Sequence, residues 1–416
     1  MKLVLRNASI VCPDSSHHGK QCDILIENGM LARIAPEIAT DAPEVKHTNL
    51  HVSGGWIDTS VSFGEPGFEE RGTLANGLEA AAAGGFTAVC VQPDTLPVRD
   101  SQAMVAMARA AGSDKPTQIF PIAALTRKME GQDLAELFDM HQAGAVAFGD
   151  YNRNIDNSNL MKIALQYSQQ FGGTVIAYSS DRNITGKGIA HEGEVATRLG
   201  LKGIPPLAEE LMIARNLFLL EYTGGRLHIP TISTAKSAQL IAEAKRKGLH
   251  VTCSVAVNNL VLTDESLTNF DTRFKLNPPL RDEATREALI QAVQDGTIDV
   301  ITSDHRPMDI ERKRVEFDMA EDGSVGLESA FGALQTVLPL TTVIEKLTAG
   351  YRVFNHQIPK IEEGMPANLT LFDPTEVYTF TEANLVSACR NAALINREMK
   401  GRVLGTIRNY YHHFTF

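Results

Sequence analysis

Two serines, Ser60 and Ser62, stand near the end of the run Gly54-Gly55-Trp56-Ile57-Asp58-Thr59-Ser60-Val61-Ser62-Phe63-Gly64-Glu65-Pro66-Gly67, whose apolar first half reads as a strand and whose Pro-Gly end reads as a turn. Alternate residues of a strand face the same side, so positions 60 and 62 project together and are spaced to grip one ion between them. Imidazoles at that spacing would bind zinc, whereas a neutral hydroxyl is not among zinc's usual protein ligands. Far along the chain two acids, Asp150 in Phe148-Gly149-Asp150-Tyr151 and Asp304 in Ser303-Asp304-His305, close further apolar runs. A carboxylate at a strand end is suited to holding a metal or moving a proton.

The elements that must position these residues alternate. From residue 55 to about 345, apolar strands are followed by polar loops and long helices. Leu74 to Ala83 is an alanine-rich helix stopped by Gly84-Gly85, and Phe86 to Val91 is the next strand. Strands follow at Ile119–Ala123, Ala145–Phe148, Thr174–Tyr178, Arg226–Ile229, His250–Val255 and Asp299–Thr302. The helices between them are predicted at Gln132–Ala143, Asn159–Phe171, Leu207–Glu221, Ala235–Lys247 and Asp282–Asp295. Nearly continuous apolar strands imply a parallel sheet covered by helices, and about eight repeats favour a closed barrel over an open sheet. Before this region, Lys2–Val11, Asp23–Glu27 with its Asn28-Gly29 turn, and Leu31–Ala35 are short strands; after it, Asn368–Asp373 and Gly401–Ile407 return to strand.

Composition narrows the partners. A net charge of -11 over 416 residues implies no basic face for nucleic acid or an anionic membrane. Five scattered cysteines, Cys12, Cys22, Cys90, Cys253 and Cys389, form no Cys-x-x-Cys pair, so neither a disulfide framework nor a zinc knuckle is predicted, and a reducing cytoplasm is the expected location. No apolar run reaches membrane-spanning length.

Several motifs carry a more specific signal. Ala80-Ala81-Ala82-Ala83-Gly84-Gly85-Phe86-Thr87, Gln92-Pro93-Asp94-Thr95-Leu96-Pro97, Lys275-Leu276-Asn277-Pro278-Pro279-Leu280-Arg281, Asp295-Gly296-Thr297-Ile298-Asp299, Ser303-Asp304-His305 and Gly326-Leu327-Glu328 join the opening strand. Together they resemble the dihydroorotases of the amidohydrolase superfamily, more than hydantoinases or allantoinases. The resemblance implies an α/β fold: a (β/α)8 TIM-type barrel over 55–345, with a small β-sandwich formed from the N- and C-terminal segments, 1–54 and 346–416. In that family one or two zinc ions activate a water that attacks a ring amide, and an aspartate on the last barrel strand shuttles the proton.

Carried over residue by residue, the resemblance puts Ser60, Ser62, Tyr178 and Thr231 where the family has its four metal-binding histidines, and Gly64 where it has a substrate-binding arginine. Asp94 replaces an asparagine, and Met308 replaces the second histidine of Asp-His-x-Pro-His. Asp304 retains the place of the catalytic aspartate. Asp150 is a residual acid near the family's metal-binding aspartate, with Tyr151 in the adjoining place. His228 has the wrong parity to stand in for Thr231 on a regular strand without a bulge. Asn277 and Arg281 are substrate-site remnants that equally suit a structural corner. His305 is a packing or capping histidine, and Asp309-Ile310-Glu311-Arg312-Lys313-Arg314 a solvated loop.

The expectation is thus a dihydroorotase homologue of pyrimidine biosynthesis that has lost metal and hydrolase activity. Its predicted role is that of a scaffold or regulatory subunit, with aspartate transcarbamoylase as the partner the resemblance implies and a homodimer as its own assembly. No cofactor is predicted on that reading. Two alternatives stay open. One is a working cyclic-amide hydrolase with zinc on Asp150, Asp304 and His228; the other is a non-catalytic sensor that binds a pyrimidine precursor through Tyr178, Asn277 and Arg281.

Overall fold

The computed structural model describes residues 1–415. Eight parallel strands form the central sheet: Trp56–Val61, Phe86–Val91, Gln118–Ala123, Ala147–Phe148, Val175–Ile176, Leu227–Ile229, Val251–Ala256 and Val300–Thr302. Each pairs with the next, and a parallel bridge from Val61 to His305 closes the last strand onto the first. This is the (β/α)8 barrel that the alternating pattern predicts. The first two strands are buried along their whole length, because helices cover the outside while side chains fill the inside.

Three of the flanking helices start where the sequence offers a side-chain cap. Thr73 accepts from the Asn76 N–H at 3.1 Å, Thr234 from Ser237 at 3.1 Å, and Asp282 from Thr285 at 2.8 Å. These bonds satisfy backbone donors that the first helical turn leaves free. Inside the barrel, Ile57, Ala88, Cys90, Ile122, Ala147, Ile176 and Val300 form one apolar layer, plugged from below by Tyr351 and Phe354. The plug comes from a short helix, Gly350–Val353, that follows Leu340–Thr348 on the first strand's side.

The two ends of the chain share a second sheet, in the order Tyr411–Phe414, Glu398–Arg408, Asn368–Thr379, His51–Gly54, Lys2–Ile10, Gln21–Glu27 and Met30–Ala35, with Glu44–Val45 beside Lys2–Ile10. His51–Gly54 pairs antiparallel with Asn368–Thr379, so segments more than 300 residues apart become neighbours. The accessory β domain therefore exists only when both termini are present. Its core is Leu5, Ile24, Ile26, Leu369, Leu371 and Ile407.

Some local expectations need correction. The helix predicted over Gln132–Ala143 starts only at Leu137, because Ala135 bonds back to Leu125 and Thr126 bridges to Leu134. A helix absent from the sequence reading spans Gln102–Ala111. The fifth strand is followed by an excursion holding helices Arg182–Thr185 and Glu194–Leu199 and a two-strand ladder, Ala190–His191 with Gly203–Ile204. The solvated loop at 309–314 is partly wrong: Lys313 is buried, its ammonium donating to the Thr272 and Lys275 carbonyls. All five cysteines are free and buried. Among the described residues no helix is long and apolar enough to cross a membrane.

Candidate functional site

The C-terminal ends of the barrel strands bring the chemistry-bearing residues to one mouth, the end at which parallel barrels carry their sites. There Ser60 donates from Oγ to Asp304 Oδ1 at 3.1 Å and receives the Gln92 amide, also at 3.1 Å. Ser62 donates to Asp94 Oδ2 at 2.9 Å. The two hydroxyls are spent on carboxylates that burial holds above the usual range, Asp304 to about 7. Beneath them the fully buried Asp58 accepts from the Ser60 and Ser303 N–H groups and from Thr302, fastening the first strand to the last.

Tyr178 donates to Asn277 Oδ1 at 2.7 Å, so a hydroxyl and an amide bridge the ends of two different strand loops. Asn277 keeps its amide nitrogen for a further acceptor. Arg281 lines the same cavity as this pair, but its donors are engaged. Its Nε donates to Ser233 at 3.1 Å, its Nη1 to the Ile204 carbonyl at 3.1 Å, and its Nη2 lies 3.8 Å from Glu209. Glu209 in turn accepts from Ser233, Ser237 and Thr234. Arg281 is thus a buried fastening rather than a free clamp, and nothing in the residue pattern marks Glu209 as its neighbour.

Asp150 does not face the mouth's centre. It accepts from the Leu125 and Thr126 N–H groups, at 2.9 and 3.0 Å, and from the Thr126 hydroxyl, holding the turn after the third strand. The adjoining Tyr151 does face inward, with the Arg306 guanidinium 5.6 Å from its ring centroid. Arg306 is a functional-site residue that sequence reasoning passed over, although it sits inside the Asp304-His305-Arg306-Pro307 motif. His228 lies below this level, bonded through Nδ1 to Thr252 at 2.9 Å and edge-on to Phe354. Burial lowers its pKa to about 3, so it stays neutral. His305 is likewise buried, edge-on to Phe63, and its Nδ1 accepts from the Gly326 N–H at 3.3 Å. Asp150, Asp304 and His228 are therefore not brought together.

Backbone strain concentrates here. Tyr151, Thr231 and Asp304, at the ends of three strands, all have left-handed φ, at 50°, 45° and 49°. Such conformations cost a non-glycine residue roughly 1–3 kcal/mol each and persist where the surroundings over-determine them. Gly64 is also left-handed, with φ of 84°, and a Cβ there would lie 2.4 Å from the Phe68 carbonyl oxygen. The loop is closed around glycine, so an arginine side chain could not enter without moving it.

A cavity of about 380 Å³ opens beside this cluster, lined by Tyr178, Thr231, Asn277 and the excursion residues Arg182 and Thr185.

Whole-chain comparison identifies the scaffold. Residues 50–237 match a family described as Dihydro-orotase-like. A protein named Dihydroorotase from Pelotomaculum thermopropionicum is 42% identical over 98% of this chain and 97% of its own length. Another of that name, from Anaeromyxobacter dehalogenans, is 39% identical over 97% and 96%. The chain belongs to the dihydroorotase family. Among solved structures, an L-hydantoinase from Arthrobacter aurescens superposes with a TM-score of 0.86 at 20% identity, covering 99% of this chain and 95% of that one. A D-hydantoinase from Thermus sp. gives 0.83 at 20% identity, covering 99% and 96%. These two show the shared barrel-and-β-domain fold.

The metal that this fold family implies can be tested against the donors present. Zinc takes thiolate, imidazole or carboxylate, commonly four such groups around one point. Ser60, Ser62, Tyr178 and Thr231 offer neutral hydroxyls; the first three are already bonded to other side chains, and Thr231 sits on left-handed backbone. Among the described residues no group of three or more His, Cys, Asp or Glu side chains converges as a metal site. The residues at the mouth do not fit the ion.

Proposed function

We propose that this chain is a dihydroorotase-family protein of pyrimidine biosynthesis that does not open its ring substrate and acts instead as a scaffold or regulatory subunit, with aspartate transcarbamoylase as its partner. One observation supports this above the others. Ser60, at a family metal-ligand position, hydrogen-bonds Asp304, the carboxylate at the family's proton-shuttle position, and Ser62, at another, hydrogen-bonds Asp94. A neutral serine hydroxyl at that position supplies no ligand of the kind that holds zinc and so no metal-activated water for Asp304 to deprotonate.

Elemental analysis of the purified protein, paired with a dihydroorotate hydrolysis assay with added zinc, tests the first half. Less than one-tenth of an equivalent of zinc and no turnover above the uncatalysed rate are expected; stoichiometric zinc with turnover would overturn the reading. Co-purification and size-exclusion chromatography with aspartate transcarbamoylase test the second half. A common peak is expected, and separate elution at micromolar concentrations would remove the partner.

The cavity lined by Tyr178, Asn277 and Arg281 favours one further reading, a sensor that binds a pyrimidine precursor unchanged. A thermal shift with dihydroorotate in the absence of turnover would support it.

A further inference from the structure

At the end of the barrel opposite the mouth, a pocket of about 460 Å³ lies between the starts of the fifth to eighth strands and the plugging helices. Its charged lining is Arg226, Lys245, Lys346 and Arg352, with Asp299 as the one carboxylate, in a chain whose net charge is -11. Two of these cations are already answered. Lys245 donates to both Asp299 oxygens at 2.7 Å and to the Thr297 carbonyl at 2.8 Å, and Arg352 lies 3.2 Å from Asp14. Arg226 is exposed and joins no ion pair among the described residues.

Lys346 is the anomaly. It is 4% exposed, yet its ammonium makes no hydrogen bond among the described residues, and the carboxylate beside it, on the exposed Glu345, is 3.6 Å away. The other two buried lysines, Lys275 and Lys313, each donate to a backbone carbonyl at 2.8 Å. An ammonium has three donors, and leaving them unused away from water is costly. Thr174 lines the same pocket, and its buried hydroxyl is also without a partner.

We infer that this basal pocket binds a phosphate group, free or carried as the monoester of a small molecule. Arg226 and Lys346 are its two least compensated positive charges, and together they match the roughly -1.5 to -2 of a phosphomonoester at neutral pH. A single carboxylate would answer one of them and leave the other. The Lys346 ammonium and the Thr174 hydroxyl supply donors for the phosphate oxygens. The rest of the wall is apolar, through Leu227, Leu249, Val251 and Val353, so a group attached to the phosphate has a surface to lie against. The site sits away from Ser60 and Asp304, and the inference does not rest on how the mouth is read.

Calorimetric titration of the full chain at neutral pH and matched ionic strength tests it, with inorganic phosphate and phenyl phosphate as probes. One-to-one binding of phosphate is expected. Tighter binding of phenyl phosphate marks a phosphorylated small molecule as the ligand, and equal or weaker binding marks free phosphate. Lys346→Gln and Arg226→Gln should each weaken binding about tenfold or more, the loss of one charge-assisted hydrogen bond. Arg226 is exposed, so its variant reads the site even if the buried Lys346→Gln does not fold. Lys247, outside the pocket lining and paired with Glu221, is the control, and Lys247→Gln should bind as the wild type does. No binding of either probe at millimolar concentration overturns the inference. So does an affinity unchanged in Arg226→Gln, or an equal loss in Lys247→Gln.

Discussion

The two sides of the barrel mouth are built on opposite terms. On the side of the fifth to seventh strands, Arg281, Glu209, Ser233, Ser237 and Thr234 form a buried network in which both charges have partners. On the side of the first, fourth and eighth strands, Asp304 sits above the usual carboxylate range, Tyr151 and Asp304 hold left-handed backbone, and Tyr151 Oη and Arg306 Nε have no protein partner. A buried polar atom without a partner costs about 1–3 kcal/mol. Left-handed backbone occurs on both sides, at Thr231 as well as at Tyr151 and Asp304, so the contrast lies in the polar groups: one side pairs its buried charges and the other leaves buried polar atoms without hydrogen bonds.

Cutting the satisfied side should do the greater damage. Arg281→Ala leaves Glu209 buried opposite no cation, and a loss of about 3–5 kcal/mol is expected by urea titration. A loss below about 1 kcal/mol would show that the network is not the fastening described.

On the other side the expected effect depends on pH. Asp304 titrates near 7 in the folded chain against an ordinary 3.8, so the unfolded chain gives up this proton first as pH rises. Protonation therefore favours the folded state. That contribution is complete below about pH 4 and is lost as pH rises through 7, with a ceiling of about 4 kcal/mol. Asp304→Asn should flatten this part of the stability profile, and a variant whose profile parallels the wild type between pH 4 and 7 would refute the assignment.

The smallest change sharpens the comparison furthest. Ser60→Ala removes one donor from Asp304 and should cost about 1 kcal/mol at pH 7. It should also raise the Asp304 midpoint further, because the hydroxyl favours the charged form. Carboxyl carbon NMR reads this directly, and an unchanged midpoint would break the link between the two side chains.

Much of this architecture was legible in the chain. The helix Leu74–Ala83 was readable from its alanines and the Gly84-Gly85 stop, and the helix Ala235–Arg246 from the strand–helix alternation. Strands of only two residues, such as Ala147–Phe148 and Val175–Ile176, were placed but drawn too long, since buried apolar residues continue past the last ladder bond. The helix Gln102–Ala111 escaped because only Val105 and Ala108 of its ten residues are buried, leaving a weak apolar face. At the site, residue types at positions 60, 62, 178 and 231 could be read without a structure, because donor chemistry belongs to the side chain itself.

What the sequence by itself determined is the set of available chemical groups and the strand–helix rhythm, both local properties. Only the tertiary structure decided which groups meet. Ser60 meets Asp304 across 244 positions, Tyr178 meets Asn277 across 99, and Arg281, which lines the same cavity as that pair, is fastened to Ser233 with Glu209 beside it. Asp150, one residue from the mouth, is turned to cap Leu125 and Thr126 instead. Such pairings depend on barrel closure and on which buried polar group is nearest when water is excluded, and neither is written in the spacing of residues along the chain.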